Sequence, residues 1–175
     1  YALKARENAL KVVEEAKDLS DIDKLLYYCD AICDRNVYYH DPSDTYGNTS
    51  QFIFIFDEDP NTNALCSGYA KAFKFLCDNT SFDSNIFCYC ISGHKNGGAH
   101  MWNIVHMNDD KYYLACLTTC DNNPIPGRRA RFLEGADRGD MEKGFTFDGW
   151  YLDEALLFSM QIFAWKIYNA IYVII

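Results

Sequence analysis

Ala64-Leu65-Cys66-Ser67-Gly68-Tyr69-Ala70-Lys71-Ala72-Phe73-Lys74-Phe75-Leu76 is the stretch whose reading decides the fold. It follows a loop over Asp57 to Asn63, rich in acidic, Pro, Asn and Thr residues, and its second half reads as a helix with Ala70, Phe73, Leu76 and Cys77 on one face. Cys66 therefore stands where a loop runs into a helix N-terminus. A thiol is a useful nucleophile only as thiolate, and the partial positive charge at a helix N-terminus favours that anion. The backbone N–H of Cys66 would also face an anion forming on an attacked carbonyl, which is half of an oxyanion hole. A small buried residue has the same appearance in sequence, so a chemical role for Cys66 requires a second group.

Downstream, a polar turn region over Asp78 to Asn85 leads to strand candidates Ile86 to Ser92, Met101 to Met107 and Tyr112 to Leu117. They are separated by Gly93-His94-Lys95-Asn96-Gly97-Gly98 and by Asn108-Asp109-Asp110-Lys111, which predicts an antiparallel sheet of short strands. His100 lies at the start of the second candidate, after the glycine-rich turn, where a side chain can be presented at a sheet edge facing the helix terminus. That placement makes it a candidate general base, although a polar surface residue beside a turn has the same appearance in sequence. His40, His94 and His106 read as polar surface residues.

Upstream, Ala2 to Asp34 carries apolar residues at helical spacing, first Leu3, Leu10, Val13 and Ala16, then Ile22, Leu25, Leu26, Cys29 and Ile32, which predicts two helices. Ser20 followed by Asp23 supplies an N-cap and an acidic first turn for the second. Tyr38 to Asn48 reads as loop, and Phe52-Ile53-Phe54-Ile55-Phe56 is either a strand or a buried helical turn. Asp121 to Gly149, with many of the Gly, Pro and Arg residues, predicts an irregular segment that could cover a groove. Gln161, Lys166 and Asn169 interrupt the apolar tail from Ala155 to Ile175, so a core helix or strand pair is expected there rather than a membrane span.

The chain has 175 residues, 49% of them hydrophobic and 23% charged, as expected of a single globular domain over 1–175. A net charge of −9 opposes a phosphate backbone and makes nucleic acid an improbable partner. Arg128, Arg129 and Arg131 are a solvated loop rather than a basic stripe. Most of the eight cysteines are expected as free thiols. The spacings Cys29-x3-Cys33, Cys88-x-Cys90 and Cys116-x3-Cys120 lack the paired C-x2-C knuckles of structural zinc, and no metal or cofactor is expected. Starting at Tyr1 without a signal sequence, the chain reads as a fragment or processed product.

Ala64-Leu65-Cys66-Ser67-Gly68-Tyr69-Ala70 resembles the nucleophile motif of the transglutaminase-like superfamily, small-V/L-C-x-G-Y-A. His100-Met101-Trp102-Asn103-Ile104-Val105 resembles that family's H-x-W-N-x-V, and Tyr112-Tyr113-Leu114-Ala115-Cys116-Leu117-Thr118 its W-Y-x-V-D-x-T. Asp23-Lys24-Leu25 through Asn36-Val37-Tyr38-Tyr39 resembles the helix and N-V-x-Y segment preceding the core in bacterial members. The likeness spans about residues 21–121, with motifs in the family's order.

The resemblance implies an α+β, papain-like transglutaminase core, with N-terminal helices and the nucleophile helix packed on an antiparallel sheet. It implies acyl transfer on peptide or protein amides through a Cys66 thioester with His100 as base, as a cysteine peptidase or a transglutaminase, at a bacterial cell surface or outside the cell. Where the family places the Asp that orients the His, this chain has Cys116. Losing a triad carboxylate can cost several orders of magnitude in rate, so the alternative is a catalytically impaired module that binds peptide or protein in the same groove. Asp121 is the substitute third member if the strand ends early, although an odd offset from Cys116 puts it on the opposite face of a continuing strand. Gln51 is the upstream side-chain donor for the oxyanion. Trp102 packs beside the histidine or forms a wall of the substrate groove.

Overall fold

The computed structural model describes residues 2–38, 52–121, 132–135 and 145–147. Two amphipathic helices come first, α1 (Ala2–Glu15) and α2 (Asp21–Arg35). Ser20 caps α2: its Oγ accepts the Asp23 N–H at 3.3 Å and donates to the Asp23 carboxylate at 2.6 Å. The aromatic run after the first loop forms one short helix, α3 (Ile53–Phe56), with Ile55 and Phe56 buried. The Asn8 amide donates to the Phe56 carbonyl at 2.8 Å, tying α3 to α1.

The central helix α4 (Cys66–Asp78) buries Tyr69, Ala70, Phe73, Leu76 and Cys77 along one face, as the spacing predicts. It lies against β1 (Phe87–Lys95) and β2 (Gly98–His106), the middle of an antiparallel sheet that continues through β3 (Tyr112–Ala115). Two further strands, β4 (Phe132–Gly135) and β5 (Phe145–Phe147), give the order β4-β3-β2-β1-β5. Among the described residues the chain is thus α+β, with helices on an antiparallel sheet.

Several expectations are corrected. The glycine-rich stretch from Gly93 is not a loop: β1 and β2 run through it and turn on Asn96-Gly97, with φ of 53° and 82°. Two successive positive φ values match a type I′ hairpin turn, whose twist suits the flanking strands, and Asn-Gly is the pair that adopts it most readily. The segment from Asp121 to Gly149 was expected to be irregular, yet it contributes β4 and β5, whose three or four residues are too few to show an alternating pattern. The ladder slips between Leu114 and Ala115, opposite Leu133 at φ 52°, so β4 joins through a bulge. The third strand ends at Ala115, and α5 (Leu117–Asp121) begins two residues later, with Cys116 between them.

Apolar side chains collect on both faces of the sheet. The larger cluster lies on the helix side and includes Tyr28, Ile32, Phe56, Phe73, Leu76, Val105 and Ala115. A smaller one joins Ile91, Trp102, Ile104, Leu114 and Cys116. No helix among the described residues is long and apolar enough to cross a membrane. The Arg128, Arg129 and Arg131 cluster, His40 and the tail from Ala155 fall outside the described residues.

Candidate active site

Cys66 is the first residue of α4, and no side chain caps this helix. The first N–H groups of a helix lack intrahelical acceptors. Here the Ser67 N–H is directed to the Cys66 sulfur, as is the Met101 N–H of β2. The helix start is held from behind by Asn36, the C-cap of α2, whose Oδ1 accepts the Ala64 N–H at 3.0 Å. Asn36, the first residue of the N-V-x-Y likeness, thus acquires a physical role: it holds the backbone two residues before the nucleophile.

His100 pairs across the hairpin with Gly93 and is half-buried. Its Nε2 lies 3.2 Å from the Cys116 Sγ and 3.5 Å from the Thr118 hydroxyl. The imidazole also hydrogen-bonds Cys66. One ring therefore serves two thiols, one from the start of α4 and one from the end of β3. Behind it the Trp102 indole lies nearly parallel, with ring centroids 6.1 Å apart and planes 19° apart.

The electrostatics follow from this arrangement. Burial alone would push the Cys66 thiol up, but the His100 hydrogen bond and charge, with the Met101 and Ser67 N–H groups, hold it below its ordinary value. Burial likewise opposes the Cys116 anion, yet His100, Lys95 and Thr118 bring that thiol down to about 7. For His100, burial disfavours the imidazolium, and the two sulfur partners overcome it and raise the ring to about 9. Three thiols elsewhere move the other way. Burial pushes Cys90 up to about 12 and Cys88 well up, and Cys29 is raised by its hydrogen bonds with Cys120 and Cys33 and by burial. All eight cysteines are free thiols.

A scan against protein-family models and a search of curated proteins both returned no match.

Of the residues singled out from sequence, the fold brings Cys66, His100 and Cys116 together. Asp121 is turned elsewhere: it lies on α5, not on a continuing strand, and its carboxylate accepts the Tyr69 hydroxyl at 2.6 Å. The helix begins because the Thr119 and Cys120 N–H groups bond back to the Cys116 carbonyl, at 3.0 and 3.2 Å, against the β-branched character of Thr118-Thr119. Trp102 is 1% exposed, so it is not a groove wall; it belongs to the smaller core cluster and backs the imidazole. Gln51 lies outside the described residues. No group of three or more His, Cys, Asp or Glu among the described residues could hold a metal ion.

Sequence reading missed Thr118, Thr119 and Lys95. The Thr119 hydroxyl is 3.1 Å and the Thr118 hydroxyl 3.4 Å from the Cys116 sulfur, and the Lys95 ammonium donates to Thr119. It also missed Tyr38, whose hydroxyl is raised by burial and by the negative charge of Cys66 and Cys116. The N-V-x-Y segment was the available signal for Tyr38, and the closing Thr of the W-Y-x-V-D-x-T likeness was that for Thr118; nothing local marked Lys95 or Thr119.

Proposed function

We propose that this chain carries out thiol-dependent acyl transfer on peptide or protein amides, with Cys66 as nucleophile and His100 as general base and acid. The observation that carries the reading is the hydrogen bond between the Cys66 thiol and the His100 imidazole at an uncapped helix N-terminus, in a protein whose thiols at Cys29, Cys88 and Cys90 are all held protonated. The resemblance of the Cys66 and His100 motifs to the transglutaminase-like superfamily, and the packing of α4 on an antiparallel sheet, support a papain-like core. The same resemblance supports a place at a bacterial cell surface or outside the cell.

In this mechanism the Cys66 thiol gives its proton to His100, and the sulfur attacks the amide carbonyl carbon, forming an S–C bond and an oxyanion. The Cys66 N–H at the helix start is the donor this reading assigns to that oxygen. His100 then passes its proton to the leaving amine as the C–N bond breaks and the thioester remains. Water or a second amine, deprotonated by His100, attacks the thioester, the S–C bond breaks, and Cys66 returns to its starting state.

Iodoacetamide labelling, mapped cysteine by cysteine by mass spectrometry across pH, tests the reading. Cys66 should label fastest near neutral pH, and His100→Ala should abolish that advantage. Labelling of Cys66 no faster than of the other half-buried thiol, Cys90, would overturn catalysis and leave a peptide-binding module in the same groove.

A further inference from the structure

Cys116 is 0% exposed, yet its sulfur is surrounded by groups that stabilise an anion rather than a neutral thiol. Three hydrogen-bonding groups converge on it: the His100 Nε2 at 3.2 Å, the Thr119 hydroxyl at 3.1 Å and the Thr118 hydroxyl at 3.4 Å. Thr119 is itself the acceptor of a hydrogen bond from the Lys95 ammonium, which turns the hydroxyl's own proton toward the sulfur. A neutral thiol is a weak donor and weak acceptor and gains little from such surroundings. A buried charge that is both hydrogen-bonded and paired is the arrangement proteins retain.

We propose that Cys116 is a positioning residue that acts as an ionised thiolate in place of a triad carboxylate, with Thr119 and Lys95 holding its charge. The proposal rests on the acyl-transfer reading above and extends it to the third member. The proton of Cys66 resides on His100 and that of Cys116 is released to solvent. Two thiolates and one imidazolium then carry one net negative charge, as thiolate, imidazolium and carboxylate would. The Cys116 anion orients the ring through Nε2 and stabilises imidazolium, the two tasks of a triad carboxylate. Every titratable group around it fits this account. His100 on β2 and Lys95 on β1 favour the anion. Tyr38, raised by burial and by the charge of both sulfurs, stays a neutral phenol, Cys66 shares the imidazolium, and the Asp121 carboxylate on α5 is occupied by Tyr69.

The test follows the His100 ring by proton NMR and thiolate absorbance in the far ultraviolet, both against pH. In Cys66→Ala, one thiol should ionise near neutral pH, and Lys95→Met should move that midpoint upward. Cys116→Ser, which keeps the shape and loses the charge, should lower the His100 midpoint by at least about one pH unit, a tenfold change, and Cys116→Asp should restore it. An unchanged His100 midpoint in Cys116→Ser, or no thiol ionising below the ordinary range in Cys66→Ala, would overturn the proposal. Cys66 labelling separates the two claims. Fast Cys66 labelling with an unchanged His100 midpoint removes Cys116 from the site but leaves acyl transfer standing. Slow Cys66 labelling with a thiolate lost in Cys116→Ser removes acyl transfer and leaves the ionised Cys116. Should Cys116→Asp not fold, Cys116→Ser and the Cys66→Ala titration decide between these outcomes.

Discussion

The Asn103 amide in β2 donates to the Ala70 carbonyl in α4 at 2.9 Å. This bond joins the strand that carries His100 to the helix that begins at Cys66. The same nitrogen reaches the Tyr89 carbonyl of β1 at 3.3 Å, so one buried side chain gathers three elements behind the site. Cys90, its cross-strand partner, donates its thiol to the same Ala70 carbonyl at 3.4 Å.

Replacing Asn103 by Ala leaves buried carbonyl groups with one donor fewer. Each unsatisfied buried group costs about 1 to 3 kcal/mol, so Asn103→Ala should lower stability by about 2 kcal/mol or more in urea denaturation. It should also slow Cys66 labelling, because helix and strand lose their common anchor. A variant as stable as the native chain, with unchanged labelling, would show that packing alone sets the spacing.

Asn36→Ala should act on the other side of the nucleophile. It removes the acceptor of the Ala64 N–H, two residues before Cys66, at a buried position. A loss of about 1 to 3 kcal/mol is expected on the same grounds. Amide hydrogen exchange at Ala64 should accelerate more than exchange in the core of α2, and equal acceleration at both would mean that only global stability had changed.

The hairpin turn offers a test of register. Gly97 has φ 82° and nothing within 4 Å of the place a Cβ would occupy, so Gly97→Ala meets backbone strain without a clash. A left-handed conformation costs a residue with a Cβ about 1 to 2 kcal/mol, and that loss is expected by denaturation. Gly97→Asn should cost less, since Asn adopts this conformation more readily. Equal losses for Ala and Asn would point to contacts rather than to φ.

The two coupled groups also make stability depend on pH. His100 is raised from 6.5 to about 9, so its contribution is complete below the lower value and is lost as pH rises through the upper. Cys116 is lowered from 9.0 to about 7, so its contribution is complete above the upper value and is lost as pH falls through the lower. What His100 loses as pH rises from about 7 to about 9 Cys116 gains, so the stability difference between the native chain and the double variant His100→Gln, Cys116→Ser should stay nearly level across that window. Urea denaturation across the window measures this, and a difference that changes by more than about 1.4 kcal/mol, the equivalent of one pH unit, would show that the two shifts do not offset each other.

Much of the fold is legible in local signals. Ser20 with Asp23 marks the start of α2, and the spacing of Ala70, Phe73, Leu76 and Cys77 marks the buried face of α4. Asn96-Gly97 marks a hairpin turn whose strands run closer to it than the surrounding glycines suggest. The run Phe52 to Phe56 has no such signal, because five apolar residues satisfy a strand and a buried helical turn equally well. Leu117 to Asp121 misleads, since its threonines favour a strand while the tertiary setting makes a helix.

Local sequence is enough to show where a thiol meets a helix N-terminus, which residues face the core, and that a histidine lies early in the next hairpin strand. These properties depend on neighbours within a few residues, through side-chain period, capping and turn chemistry. Only the tertiary structure decided that His100 serves Cys66 and Cys116 together, that Asp121 belongs to Tyr69, and that Thr119 and Lys95 stand behind the second sulfur. Those contacts join α4, β1, β2 and α5, and they depend on strand register and on where β3 gives way to α5. A shift of one residue in that register would turn His100 to the other face of the sheet.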